Sequence, residues 1–243
     1  ELLQEEKSIV TPIAGTTRDS IDSFLRYQKK NIRLIDTAGL RKKSKITCDI
    51  EFYSTVRTFR VINDCDVTAV LIDADKGFNN QDKDIIRYVI DSGKGLIIVV
   101  NKWDLLEKNT DTLKEYRQDI LDQYPVLEYY PILFISVFHN LRVREVLKTT
   151  LKVFNERQRK LKTPELNEFI KRAMGYHSPP VVKGKNITIK YGAQVHHSPP
   201  IFALFSNHPQ SIPIQYKRYL ENSLRDNFGF EGVPIKISFR ENK

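Results

Sequence analysis

The run Leu96-Ile97-Ile98-Val99-Val100 constrains the fold of this chain more than any other feature. A strand with one wet face alternates apolar and polar side chains, because successive side chains point to opposite faces. Five apolar residues in a row, four of them β-branched, read instead as a strand covered on both faces, the setting of a parallel sheet. Val67-Thr-Ala-Val-Leu-Ile-Asp73 reads the same way, and Pro131 to Ser136 supplies a third strand. Helical patterns separate these strands. Phe52, Val56 and Phe59 are spaced i, i+4, i+7, and Asn80 to Asp91 sets Ile85, Tyr88 and Val89 on one side. A polar helix over Thr112 to Gln123 and a closing helix over Val143 to Lys160 complete the series. Ahead of it, Ser20 to Tyr27 and Asn31 to Asp36 read as a hairpin joined by Gln28-Lys29-Lys30. The expected fold is α/β, a mostly parallel sheet with helices on both faces.

The pattern changes after Arg157-Gln-Arg-Lys-Leu-Lys162, which places a boundary between residues 1–162 and 163–243. Thr163-Pro164 reads as a helix start, with Thr163 as the cap and Pro164 at the first helical position. Strands over Asn186 to Gln194 and Ile201 to Ser206, a helix over Pro213 to Asn227 and a strand over Pro234 to Phe239 make an α-β-β-α-β module. The formal charge is +9, and residues 164–243 hold 11 Lys and Arg against 6 Asp and Glu. That excess favours a polyanionic partner. No apolar run approaches the roughly 20 residues of a membrane span. Two cysteines, Cys48 and Cys65, are too few for a disulfide framework and fit a reducing cytoplasm, the expected location.

Asn101-Lys102-Trp103-Asp104 follows the strand Leu96 to Val100, where an open α/β sheet binds its ligands. The Asp104 carboxylate can accept two hydrogen bonds from guanine, at N1–H and the exocyclic amine. Adenine would leave it unmatched. Asn101 can tie the loop together and the Lys102 stem can cover a base. Alone, a polar loop after a strand is as common as such a site. Asp36-Thr37-Ala38-Gly39 ends another strand, where Asp36 can hold a magnesium-bound water and Gly39 lets its N–H approach a phosphate. Upstream, Thr16 and Thr17 offer hydroxyls in a loop before the first strand, suited to magnesium. Ser136-Val137 ends a further strand, with N–H groups that can reach guanine O6.

Taken in order, these loops follow the pattern of P-loop GTPases. The runs Pro12-Ile-Ala-Gly-Thr-Thr-Arg-Asp19, Asp36-Thr-Ala-Gly-Leu-Arg-Lys-Lys-Ser-Lys45 and Asn101-Lys-Trp-Asp104 closely resemble the second GTPase domain of the Der (EngA) family. The tail is similar to that family's KH-like domain through Pro179-Pro-Val-Val-Lys-Gly184, Tyr219-Leu-Glu-Asn222 and Phe228-Gly-Phe-Glu-Gly-Val-Pro-Ile235. The resemblance implies a P-loop-NTPase-type sheet followed by an α+β KH-like domain. It implies GTP binding by Asp36, Thr37, Ala38, Gly39, Leu40, Asn101, Lys102, Trp103, Asp104, Ser136 and Val137, with Mg2+ on Thr16, Thr17 and Asp36. It also implies a K+ ion near the phosphates, GTP hydrolysis, and a monomeric switch that acts in assembly of the large ribosomal subunit through rRNA. The family usually has Ser-Ala where this chain has Ser136-Val137. No G-x-x-x-x-G-K-[ST] occurs in the 243 residues; the resemblance places that phosphate loop just ahead of Glu1, and a first GTPase domain before it. The residues as they stand are expected not to hold a triphosphate unaided. Leu40 occupies the place where many GTPases carry a water-orienting Gln, so no residue is assigned as the catalytic base.

Candidate RNA contacts are the run Arg41, Lys42, Lys43 and Lys45, which reads equally well as a solvated loop, and Lys183, Lys185, Lys217 and Arg218 in the module. Gly229-Phe-Glu-Gly232 has the spacing of an RNA-binding KH loop, but it links a helix to a strand rather than two helices. A helix cap and a turn are the expected roles of its glycines. Two rival functions remain: an RNA- or protein-binding module with a non-functional nucleotide site, and a GTPase whose C-terminal module binds protein rather than RNA.

Overall fold

Six of the seven residues of Gly95–Asn101 are buried, as its unbroken apolar run requires. In the computed structural model, which describes residues 22–35, 58–107, 109–182, 184 and 186–241, this strand is the middle of a parallel three-stranded sheet. We label the described strands β1 (Asp22–Tyr27), β2 (Lys30–Ile35), β3 (Val67–Asp73), β4 (Gly95–Asn101) and β5 (Ile132–Phe134). The helices of this half are α1 (described over 58–64), α2 (Asn80–Asp91), α3 (Thr112–Gln123) and α4 (Val143–Arg157). Sheet order is β3-β4-β5, and the parallel register pairs Val67 with Gly95 and Ile98 with Ile132.

Alternate residues of β4 enter different cores. Leu96, Ile98 and Val100 join Val70, Ile72, Ile86, Val89 and Ile120, so this face is covered by α2 and α3. Ile97 and Val99 join Val146 and Val153 of α4 on the other face. Each such aliphatic side chain contributes about 1.5–3 kcal/mol when fully buried. β3 differs from its expected burial: Val70 and Ile72 are inside on the face covered by α2 and α3, but Leu71, on the opposite face, is 43% exposed. β1 and β2 form the expected antiparallel hairpin, separate from this sheet in hydrogen bonding. The hairpin meets α4 where Lys30 Nζ donates to Asn155 Oδ1 at 2.8 Å.

The C-terminal half runs α5 (Thr163–Tyr176), β6 (Ile189–His197), β7 (Pro200–Ser206), α6 (Ile214–Phe228) and β8 (Lys236–Glu241), the expected α-β-β-α-β order. β6 pairs antiparallel with β7, and β8 lies parallel to β7 on its other side. The cap of α5 is Lys162 rather than Thr163, and it makes no side-chain capping bond, so Pro164 falls at the second helical position. Ser198-Pro199 is the tight turn between β6 and β7.

The two halves share a core. The cluster holding Ile97, Val99, Val146 and Val153 continues through Leu166, Phe169, Ile170, Phe202, Leu220, Leu224 and Phe230. The Gly229–Gly232 turn is its seam. Gly229 caps α6 with φ +85°, the expected role. Gly232 does more than turn the chain. Its O accepts the Leu96 N–H and its N–H donates to Tyr129 O, both at 2.8 Å, so its backbone is clasped by segments leading into β4 and β5. Arg157, itself buried, donates to Asp66 Oδ1 at 2.8 Å and holds the far end of α4 against the residue before β3.

Candidate nucleotide-binding site

The carboxyl ends of β3, β4 and β5 are tied into one platform. Ala74 N–H donates to Asn101 O at 2.9 Å, Ile135 N–H to Val100 O at 2.8 Å, and Trp103 N–H to Ile135 O at 3.0 Å. Asn101 reaches across to the next loop, where its Oδ1 accepts the Val137 N–H at 3.2 Å. The loop from 136 closes on itself through Ser136 N–H to Leu141 O at 3.1 Å, Leu141 N–H to Ser136 O at 2.8 Å, and His139 N–H to Ser136 Oγ at 3.1 Å. The Asn101 link is the tie expected from sequence. The Val137 and Ser136 N–H groups, expected to face guanine O6, are engaged by the protein itself.

Each residue of the Asn101–Asp104 loop has a distinct task. Lys102 takes the left-handed region at φ +64°, which starts a single turn of 3-10 helix over Trp103–Leu105. Its Nζ lies 2.5 Å from Asp73 Oδ2, so the ammonium is held at the end of β3, and the stem, expected to cover a base, runs between the two strand ends. Trp103 is 5% exposed and packs on Phe134 and Tyr116, at centroid distances of 4.6 and 5.4 Å. It is the foundation of the loop. Asp104 keeps its side chain 17% exposed, with Oδ1 buried and Oδ2 3.9 Å from His139 Nε2. An anionic acceptor in a partly dry, rigid loop is the chemistry that recognises two adjacent N–H donors.

Sequence reasoning missed Asp73 and His139, neither of which lies in a recognisable motif. Phe138, 87% exposed, stands against the His139 ring at 4.9 Å. Asp73 is held ionised below the ordinary carboxylate range, first by the hydrogen bond from Lys102. The expected phosphate- and magnesium-site residues Thr16, Thr17, Asp36, Thr37, Ala38, Gly39 and Leu40 lie outside the described residues, as do Arg41, Lys42, Lys43, Lys45, Lys183 and Lys185. Of the remaining RNA candidates, Arg218 is exposed, whereas Lys217 is half-buried with its Nζ 5.5 Å over the Phe239 ring. No helix among the described residues is long and apolar enough to cross a membrane.

A parallel sheet with the Asn101–Asp104 loop at the carboxyl end of its central strand, followed by an α+β module, is the architecture of a GTPase domain joined to a KH-like domain. Comparison with known proteins agrees. Residues 1–102 match the family described as 50S ribosome-binding GTPase, and residues 160–240 match the KH-domain-like C-terminal region of EngA bacterial GTPases. Proteins named GTPase Der from Amoebophilus asiaticus and Finegoldia magna are each 44% identical, over 240 residues (99% of this chain) and 239 residues (98%) respectively. The chain belongs to the Der (EngA) family. It spans about half the length of these curated relatives, 55% in both cases. Among solved structures, Aquifex aeolicus Era bound to GDP and aluminium fluoride superposes with a TM-score of 0.48 at 17% identity, covering 96% of this chain and 84% of that one.

Proposed function

We propose that this chain is the guanine-recognising and RNA-docking part of a GTP-hydrolysing switch that acts in assembly of the large ribosomal subunit. The carrying observation is the Asn101 side chain, which welds the Asp104 loop to the Ser136–Val137 loop at the carboxyl end of β4. A pocket that selects a base needs that rigidity, because a mobile carboxylate would adapt to the wrong donor pattern. Family membership supports GTP as the nucleotide, Mg2+ as its companion ion and a cytoplasmic, ribosome-bound setting. The basic C-terminal module supports rRNA as the partner. The phosphates are held by the upstream loop, with Asp36, Gly39 and Thr17 completing the set. A K+ ion near the phosphates would supply positive charge there, whereas Leu40 has no group with which to orient an attacking water.

The test is base identity in the full-length protein. Asp104→Asn exchanges one acceptor for a donor, which suits the C2 carbonyl of xanthine. GDP affinity should fall by at least about 2 kcal/mol, the cost of a buried polar mismatch, while XDP affinity rises. Unchanged GDP affinity in this variant would take Asp104 out of the base pocket and overturn the proposal.

A further inference from the structure

Asp73 ends β3, and the parallel register sets it opposite Asn101. Its Oδ2 sits 2.5 Å from Lys102 Nζ, and its Oδ1 accepts the Asp75 N–H at 3.2 Å, so both oxygens are engaged. The peptide that follows is pinned as well: Ala74 N–H bonds Asn101 O at 2.9 Å, and Ala74 O accepts the Tyr116 hydroxyl at 3.2 Å. The Asp73 side chain is 13% exposed with both oxygens engaged, whereas Lys102 is 52% exposed and has only this anchor for its charge among the described ion pairs. The lysine stem therefore spans the ends of β4 and β3 instead of extending into water.

We propose that Asp73 is a positioning residue for guanine nucleotide, holding the Lys102 stem across the platform before the base arrives. The inference rests on the nucleotide site proposed above. A free lysine samples many rotamers, and a ligand that needs one of them must order it on binding. Asp73 removes that requirement in advance. The surrounding charges keep the anchor intact at neutral pH, since Lys102 and, more weakly, Lys76 both hold the Asp73 carboxyl ionised.

The experiment is a titration of the full-length protein with a fluorescent GDP analogue, using Asp73→Asn, Lys102→Met and the double variant. Asp73→Asn is isosteric and should weaken GDP by about three- to tenfold, mainly through faster dissociation. On the Lys102→Met background it should cost nothing further. In Asp104→Asn it should weaken XDP by the same factor, because a held lysine stem serves either base. Asp73→Glu, which restores the charge one methylene further out, should recover part of the loss. Equal losses with and without Lys102 would show a merely structural role and overturn the inference, as would unchanged GDP affinity. A wild-type protein that binds no guanine nucleotide overturns the proposed function together with this inference, and the wild-type control separates that failure from the others.

Discussion

Gly232→Ala tests how the two halves are joined. Gly232 has φ +75°, a region where an L side chain costs about 1–2 kcal/mol. A Cβ built there lies 2.5 Å from Val153 Cγ2 and 3.1 Å from both Leu96 O and Pro131 Cδ. Two of those three atoms belong to the backbone or to a proline ring, so relief requires the turn to lift. Overpacking of this kind costs about 1–3 kcal/mol. Lifting the turn also strains the two 2.8 Å bonds to Leu96 and Tyr129, each worth about 0.5–1.5 kcal/mol. The expected loss is at least about 3 kcal/mol in urea denaturation followed by fluorescence of Trp103, the single tryptophan of the chain. Gly77→Ala is the internal control, since Gly77 has φ +70° but nothing within 4 Å of its Cβ. It should lose about 1–2 kcal/mol, from the backbone alone. Equal losses at the two glycines would refute the clasp. So would a Trp103 transition that ignores Gly232→Ala, because Trp103 lies in the other half and senses the seam only if the halves unfold together.

Asn101→Ala removes the acceptor of the Val137 N–H and should weaken GDP about tenfold in a binding titration with little change in melting temperature, on the scale of one lost polar contact; unchanged affinity would show that the two loops are not mechanically coupled. Arg218→Ala should flatten the log–log salt dependence of rRNA binding by about one unit, and an unaltered slope would take Arg218 out of the RNA face. Lys217 is a poorer probe, because its ammonium lies over Phe239 and its loss would disturb packing. Burial pushes the Tyr130 phenol up to about 12. The folded state therefore favours the neutral phenol, so its contribution is intact below the ordinary value near 10 and is lost as pH rises towards 12. Tyr130→Phe should lose less stability over that range in denaturation curves, and an unchanged alkaline slope would refute the assignment.

The strand and helix periods of residues 67–160 were legible because burial on both faces leaves a continuous apolar run, and β4 shows it without interruption. The α-β-β-α-β order of the second half was legible from its alternating breaks and runs. The sharing of one core by the two halves was not. Leu166, Phe169 and Ile170 carry the helical spacing of any core face, and nothing in that spacing says that the cluster extends to Ile97 and Val153 rather than closing within its own module. The Gly229–Gly232 spacing drew attention to the right place for a different reason. Only the backbone conformation and the 2.5 Å that a Cβ would leave to Val153 of α4 distinguish a glycine that a phosphate must meet from one that a neighbouring helix must meet.

The site divides along a similar line. A residue that would act through its own chemistry, such as Asp104, stands out because few other residue types could do the same work at that spacing. Residues that act by holding another residue do not. Asp73 looks like any polar end to an apolar strand until register brings it opposite Asn101 and within 2.5 Å of Lys102. Trp103 errs in the opposite direction. Its place inside the motif suggested contact with nucleotide, yet it is 5% exposed against Phe134 and Tyr116. A four-residue motif is thus two kinds of residue interleaved. Within the 3-10 turn over Trp103–Leu105 successive side chains lie about 120° apart, so one turn can bury Trp103 as an anchor and leave the neighbouring Asp104 partly exposed.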